Sequence, residues 1–399
     1  MQERKLWTKD FVLFLCSNFF ISMVFYLLMT TMAVYATKQF HASQSEAGLA
    51  SSIFVIGALC ARLFSGKYIE VFGRKKSLYF SFILFLLASI SYFPINSLIL
   101  ILTARFVHGI AFGIASTAVV TTVMASMPSN RRGEGTGYFS LSSAAATAIG
   151  PFLGLFIAQN YSYSIIFEIC TVFAVLSIII LLFTKVEEAN LTIEERKAMK
   201  SGIKLEDFIE KAALPISILM FIFGIGYSSI VSFINTYAIE IDLTKAATIF
   251  FLVYAVGLFV SRPITGKLLD TKGDNIVIYP SIFFFSISLV LIGLTKNSVV
   301  LLVSAVLLAF GFGTLMSCIQ AIAMKVSPKE HVGLATATFF ICLDAGVGFG
   351  PYLIGLIIPF TGFRGMYISA GIIIMCMIFA YFFIHGRKES KRQKHLNSI

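Results

Sequence analysis

Arg105, Glu168 and Asp344 are ionisable residues that stand inside long apolar segments of the chain. A charge in the middle of a membrane helix costs roughly 2.5–3.5 kcal/mol, so such residues are expected to face a polar interior and to have a task there. A carboxyl group at that depth can hold a proton and release it when water or a ligand enters. The chemistry indicated is proton binding and release, with Asp344 as the first candidate for the proton carrier and Glu168 as the second, and Arg105 is also assigned to this coupling.

Arg105 and Asp344 have no charged counterparts, although the chain repeats itself. The second half matches the first at an offset of 200 residues. In this alignment Ala305 is equivalent to Arg105, and Ala144 is equivalent to Asp344. A symmetric packing role would require the charge in both halves. We therefore expect Arg105, roughly 10 Å inside its helix at about 1.5 Å per residue, to face a cavity and to contact partners there.

The other reactive side chains form no catalytic pattern. The sequence contains no Ser/His/Asp grouping, phosphate-binding loop or set of residues with metal-ligand spacing, so we expect neither an enzyme nor a cofactor nor a bound metal. The six Cys residues lie in apolar segments, where they are expected to pack as small side chains. His108 points about 60° away from Arg105 on a helix and is interpreted as a packing residue.

Composition places these residues in a membrane. Of the 399 residues, 58% are hydrophobic and 13% are charged, and the mean hydropathy is +0.89. The net charge of +11 does not indicate a nucleic-acid partner. Most Lys and Arg residues fall in loops and tails on one predicted side, which is the positive-inside bias of membrane proteins.

Twelve apolar segments of membrane-spanning length are predicted, and each is expected to be helical because a backbone in lipid must satisfy its own hydrogen bonds. The segments are 11–36, 46–65, 76–95, 98–125, 134–159, 163–184, 213–237, 246–265, 276–296, 298–324, 333–359 and 364–385. The even number and the basic tail put both termini in the cytoplasm.

The long polar stretch between the sixth and seventh segments divides the chain into two halves. We predict an N-terminal six-helix bundle over 1–186, a cytoplasmic linker over 187–212 and a C-terminal bundle with its basic tail over 213–399. Two duplicated bundles enclose a cavity that can open to one side of the membrane at a time.

The loop after the second segment carries a motif that recurs 200 residues later. It reads Gly66-Lys-Tyr-Ile-Glu-Val-Phe-Gly-Arg-Lys-Lys76, and the degenerate copy reads Gly266-Lys-Leu-Leu-Asp-Thr-Lys-Gly273. The motif resembles the cytoplasmic signature of the major facilitator superfamily, which usually has Asp at the position of Glu70. The resemblance implies a conformational latch made of the following residues: Gly66, Glu70, Gly73, Arg74, Gly266 and Asp270.

Two further motifs resemble the proton-driven export branches of that superfamily. The stretch 105–113 resembles an Arg-containing motif of proton-driven members. The pair Gly150-Pro151 and its copy Gly350-Pro351 resemble the Gly-Pro motif that distinguishes the antiporters. In both copies the Pro is expected to bend the helix, and small residues nearby permit a close helix contact.

The resemblance also implies that the first and seventh helices line the substrate cavity. The polar candidates on these helices are Asn18, Tyr26, Tyr35, Tyr227 and Asn235. Several proton-coupled drug exporters carry a carboxylate in the first helix. This chain has none there, which shifts the expected coupling site to Asp344.

The resemblance covers the whole chain. It implies a twelve-helix, proton-driven exporter of a small organic compound, monomeric in the lipid bilayer of the cytoplasmic membrane and without a nucleic-acid partner. A proton symporter that imports a nutrient shares the fold and the latch, and the Gly-Pro motif argues against it. The sequence leaves open whether the cargo is a drug, a metabolite or a metallophore.

Overall fold

The chain is helical almost throughout the part that the structure describes. The computed structural model describes residues 6–127, 132–188, 208–328 and 332–396, and no strand occurs within these ranges. The helices of the first half are α1 (Lys9–Phe40), α2 (Gln44–Phe72), α3 (Arg74–Ser91), α4 (Leu98–Ser126), α5 (Arg132–Asn160) and α6 (Tyr163–Leu182).

The second half follows the same plan and ends in a short basic helix. Its helices are α7 (Leu214–Glu240), α8 (Thr244–Lys272), α9 (Asp274–Leu294), α10 (Ser298–Val326), α11 (Val332–Tyr381) and α12 (Arg387–Leu396). A wider π-helical turn occupies Ala309–Gly313 within α10. The long α11 is interrupted at Gly362, where φ is 63°. This break lies between the predicted segments 333–359 and 364–385.

The 200-residue repeat of the sequence is visible in the backbone. Ser97 and Asn297 precede α4 and α10, and the side-chain oxygen of each accepts a hydrogen bond from the backbone N–H three residues further on. Gly73 and Gly273 join the second helix of each half to the third, with φ values of 100° and 87°. Because a residue with a Cβ is strained at such φ values, Gly at both positions lets the chain turn sharply.

Nine helices within the described ranges are long and apolar enough to cross a membrane, so the protein is a multi-pass membrane protein. The predicted number of twelve stays a prediction. The nine do not include α3, which begins with three basic residues at 74–76 and ends at Ser91, short of the predicted residue 95. This early end has a local cause, because Pro94 disfavours the helical conformation at the residue before it.

The chain divides into two compact units. One comprises Met1–Ala42 with Ile53–Ile203, and the other comprises Ser43–Ser52 with Lys204–Ile399. In the first unit α1 packs against α5 and α6, and α3 packs against α4. In the second unit α7 and α9 both pack against α11. Of the predicted linker, residues 189–207 lie outside the described ranges.

Candidate functional site

Arg105 of α4 is completely buried in the first unit. Its relative exposure is 0%, and its guanidinium carbon lies 4.8 Å from the centre of the Phe54 ring on α2. Tyr92, just after α3, is a hydrogen-bond partner of the guanidinium, and Cys170 of α6 lies nearby. A cation over an aromatic face that is also hydrogen-bonded is less costly to bury than a bare charge. The partners of Arg105 therefore come from α2, from α6 and from the residue that follows α3, all within its own unit.

His108 belongs to the same buried cluster. Its Nδ1 lies 2.8 Å from the hydroxyl oxygen of Tyr92, and its Nε2 lies 3.3 Å from that of Ser89. Tyr92 therefore bridges His108 and Arg105, although the two basic residues point in different directions on α4. Sequence reasoning recognised His108 as a packing residue but missed this bridge, because no sequence pattern pairs Tyr92 with positions further along the chain.

The two carboxylates proposed for proton coupling lie in different surroundings. Asp344 on α11 is half-buried, and Glu168 on α6 is exposed. Glu168 is separated from Cys170 by two residues, which turns the two side chains about 200° apart on a helix. Because Cys170 faces Arg105, the structure does not place Glu168 in the Arg105 cluster.

The polar candidates on α1 pack within the first unit. Asn18 is buried and donates its side-chain amide to the hydroxyls of Ser142 and Ser143 on α5, at 2.8 Å each. Tyr35 is buried, and its ring centre lies 5.0 Å from that of Tyr163 and 5.4 Å from that of Phe167, both at the start of α6. Asn18 therefore connects α1 to α5, and Tyr35 connects α1 to α6.

Tyr26 is less buried than Asn18 and Tyr35, the other two candidates on α1. It is half-buried, and its ring centre lies 4.7 Å from that of the adjacent Phe25 in an edge-on arrangement. It is the α1 candidate whose side chain retains exposed surface.

The candidates on α7 are also buried. The Tyr227 ring stacks on Phe312 of α10 with ring centres 4.0 Å apart and planes 5° apart. The Asn235 amide oxygen has no hydrogen-bond partner among the described residues. Since an unsatisfied buried polar atom costs about 1–3 kcal/mol, Asn235 is suited to bind a water molecule or a polar ligand group, and the Ser232 hydroxyl on the same helix shares this property.

The latch region of the first half is organised by Glu188, a residue that sequence reasoning did not select. Its carboxylate accepts the backbone N–H groups of Arg74, at 2.8 Å, and Lys75, at 3.0 Å. The Arg74 guanidinium donates to the Glu187 carbonyl oxygen at 3.1 Å. A carboxylate at a helix N-terminus satisfies free N–H groups and complements the helix dipole. The chain after α6 is therefore fixed to the start of α3.

Three predicted latch residues, Gly66, Glu70 and Asp270, lie in α2 and α8, but the described part of the structure does not include their surroundings. Among the described residues, no atom lies within 4 Å of the position that a Cβ on Gly266, the copy of Gly66 in the second half, would take.

The start of α9 carries a charged cluster at the position equivalent to the start of α3. Asp274 is 1% exposed, and its two carboxylate oxygens contact Lys325 Nζ at 2.9 Å and His385 Nε2 at 2.8 Å. Ligand atoms of Asp274, His385 and Glu389 lie within 4.8 Å of one another, a grouping that the sequence spacing did not reveal. Lys325 already neutralises Asp274, so the arrangement serves as an ion-pair network that holds the segment after α11.

Both Gly-Pro motifs lie where two helices meet closely. A Cβ on Gly150 would lie 2.7 Å from the Cβ of Tyr26 on α1, and a Cβ on Gly350 would lie 2.2 Å from the Oγ of Ser228 on α7. The proline after each glycine lies inside a helix that continues through it. The pairs α1–α5 and α7–α11 therefore form equivalent contacts that require a residue without a side chain.

The duplicated apolar helices and the paired motifs define a membrane transporter rather than an enzyme. The family model of the Major Facilitator Superfamily matches residues 14–351 and, in a second match, residues 276–398. The chain belongs to this superfamily.

Similar proteins include named exporters. The staphylopine export protein of Staphylococcus aureus is 24% identical over 363 residues, which cover 86% of this chain and 87% of that protein. Multidrug resistance protein 2 of Bacillus subtilis is 24% identical over 277 residues, which cover 67% of this chain and 68% of that protein.

Solved structures share the fold. A POT family transporter in complex with 5-aminolevulinic acid has a TM-score of 0.77 at 13% identity, covering 93% of this chain and 95% of that chain. The nucleoside transporter NupG has a TM-score of 0.71 at 13% identity, covering 94% and 99%. At such identities the likeness concerns the fold alone.

Proposed function

We propose that this transporter exports a small organic compound in exchange for protons. The observation that carries the proposal is the similarity to the staphylopine export protein over 86% of the chain. The second similar protein is named for multidrug resistance, and the Gly-Pro motif of the antiporters is present in both halves. The cargo class is therefore a drug, a metabolite or a metallophore.

Asp344 is the proposed proton carrier. It is half-buried on α11, the same helix in which Gly350 contacts α7. A carboxyl group in that position can exchange a proton while the helix moves. Glu168 is the second candidate, and the fully buried Arg105 is proposed to take part in the coupling from its place on α4. Movement of one net charge across a membrane potential of 100 mV supplies about 2.3 kcal/mol, enough for a gradient of roughly fiftyfold.

The proposed setting is the cytoplasmic membrane of a bacterium, with both termini inside and the protein acting as a monomer by alternating access between the halves 1–186 and 213–399. The positive-inside bias of the basic residues supports this orientation. A proton symporter that imports a nutrient is the second candidate, since solved transporters of peptides and nucleosides share the fold.

The experiment compares the culture medium of a deletion strain with that of its complemented parent by untargeted metabolomics. An exporter predicts a compound that is depleted in the medium of the deletion strain, accumulates inside its cells and returns to the medium on complementation. An importer predicts the reverse, namely a compound that remains in the medium only when the gene is absent.

A further inference from the structure

A long apolar groove runs along the first unit beside α2. Its volume is about 640 Å³, and α3 and α4 supply its other walls. Four groove-lining residues of α2 recur at intervals of four and therefore share one face of the helix: Cys60, Phe64, Tyr68 and Phe72. Phe64 and Phe72 are 52% and 70% exposed. The described residues thus form an open, aromatic channel rather than a closed core.

The groove has the length of one membrane leaflet. From Cys60 to Phe72 it extends about 18 Å at 1.5 Å per residue. Half of a bilayer core of about 30 Å is roughly 15 Å. The groove begins within the membrane-spanning stretch Gln44–Ser65 and continues beyond its end. Its occupant must therefore be apolar along most of its length.

The end of the groove near the α2–α3 turn is basic. Lys76 lines this end and is exposed, whereas the neighbouring Lys75 is not among the described residues that line the groove. An ammonium group at the membrane interface attracts phosphate, and basic pockets at the ends of membrane helices bind anionic headgroups. We propose that the groove binds an anionic glycerophospholipid, with its phosphate at Lys76 and one acyl chain lying along α2 towards Cys60.

The second half lacks this combination. At the 200-residue offset Ile276 replaces Lys76, and Lys272 replaces Phe72. The second half therefore carries its ammonium group before the turn, at the end of α8, rather than after it. The proposal concerns the first half, and it does not depend on the direction in which cargo is transported.

The test uses the purified full-length chain and native mass spectrometry. Phosphatidylglycerol and phosphatidylcholine with identical acyl chains are titrated against the wild type, Lys76→Gln and the matched control Lys75→Gln. We expect phosphatidylglycerol to bind the wild type more tightly than phosphatidylcholine does, and Lys76→Gln to weaken that binding about fivefold, the factor for roughly 1 kcal/mol. Lys75→Gln should bind as the wild type does. Equal binding of the two lipids, or an equal loss in both variants, would overturn the proposal.

A second measurement reports on the acyl chain. Cys16, Cys60 and Cys376 are exposed, so replacing Cys16 and Cys376 with Ser leaves Cys60 as the exposed thiol among the described cysteines. Phosphatidylglycerol at the concentration that half-saturates the wild type should slow the reaction of Cys60 with a membrane-permeant maleimide, and Lys76→Gln should reduce the protection at the same concentration. An unchanged labelling rate would exclude an acyl chain in the groove. Protection by a cationic amphiphile such as ethidium, but not by phosphatidylglycerol, would assign the groove to cargo instead and overturn the proposal.

Discussion

Tyr92 connects the two buried basic side chains of α4. Its hydroxyl lies 2.8 Å from His108 Nδ1 and is a hydrogen-bond partner of Arg105. Neither basic residue is accessible to solvent. The hydroxyl therefore satisfies groups that water does not reach, and its removal leaves a buried polar atom of His108 without this partner.

We predict that Tyr92→Phe lowers the free energy of unfolding by about 1–3 kcal/mol, the cost of an unsatisfied buried polar group. The measurement is the melting temperature of the purified protein in detergent. Tyr161→Phe is the matched control, because the Tyr161 side chain is exposed. If the two variants melt at the same temperature, the bridging role of Tyr92 is excluded.

At the scale of helices, Glu188 anchors the start of α3 from a position more than 110 residues along the chain. We predict that Glu188→Ala weakens this helix N-terminus by about 0.5–2 kcal/mol, as the loss of a cap does. Hydrogen exchange of the amides of Arg74 and Lys75 should become faster. Glu187→Ala is the control, because Glu187 contributes its backbone carbonyl rather than its side chain to the Arg74 contact. Equal exchange in the two variants would contradict a specific role for Glu188.

A pair of glycines in the second half tests the helix contacts. A Cβ on Gly346 would lie 2.1 Å from the carbonyl oxygen of Phe221 on α7, whereas a Cβ on Gly266 would meet no atom of the described residues within 4 Å. We predict that Gly346→Ala destabilises the protein by about 1–3 kcal/mol through overpacking. Gly266→Ala should be neutral or stabilising, because Ala favours the helix by roughly 0.5–1 kcal/mol. A Gly266→Ala variant as destabilised as Gly346→Ala would contradict this difference between the two positions.

The sequence predicts local features of these elements well and distant contacts poorly. Hydropathy locates the helical segments. The turn at Gly73 can be predicted from the residue type, because the φ that it requires favours glycine. The hydrogen bonds from α3 to Glu188 and the hydrogen bond between His385 and Asp274 were missed, since each joins residues more than 100 positions apart. Burial was also not predicted for Asn18, because its partners on α5 cannot be inferred from the composition of α1.

The whole molecule combines a repeated backbone with charges that occur once. Turns, helix caps and Gly-Pro contacts recur in both halves, so the repeat governs how helices pack. The positions equivalent to Arg105 and Asp344 in the sequence repeat are occupied by Ala305 and Ala144. We infer that the shared frame provides the movement of alternating access, while the single-copy charges provide the coupling to protons.

The most direct test of this account is transport by the purified chain in liposomes under an imposed pH gradient. The cargo is the compound identified in the culture medium, with ethidium as a parallel probe. An antiporter concentrates cargo inside when the lumen is acidic, because protons leave as cargo enters. We predict this result for the wild type, whereas Asp344→Asn should only equilibrate the cargo. Accumulation driven by acid outside would identify a symporter, and accumulation by Asp344→Asn with an acidic lumen would contradict the assignment of proton coupling to Asp344.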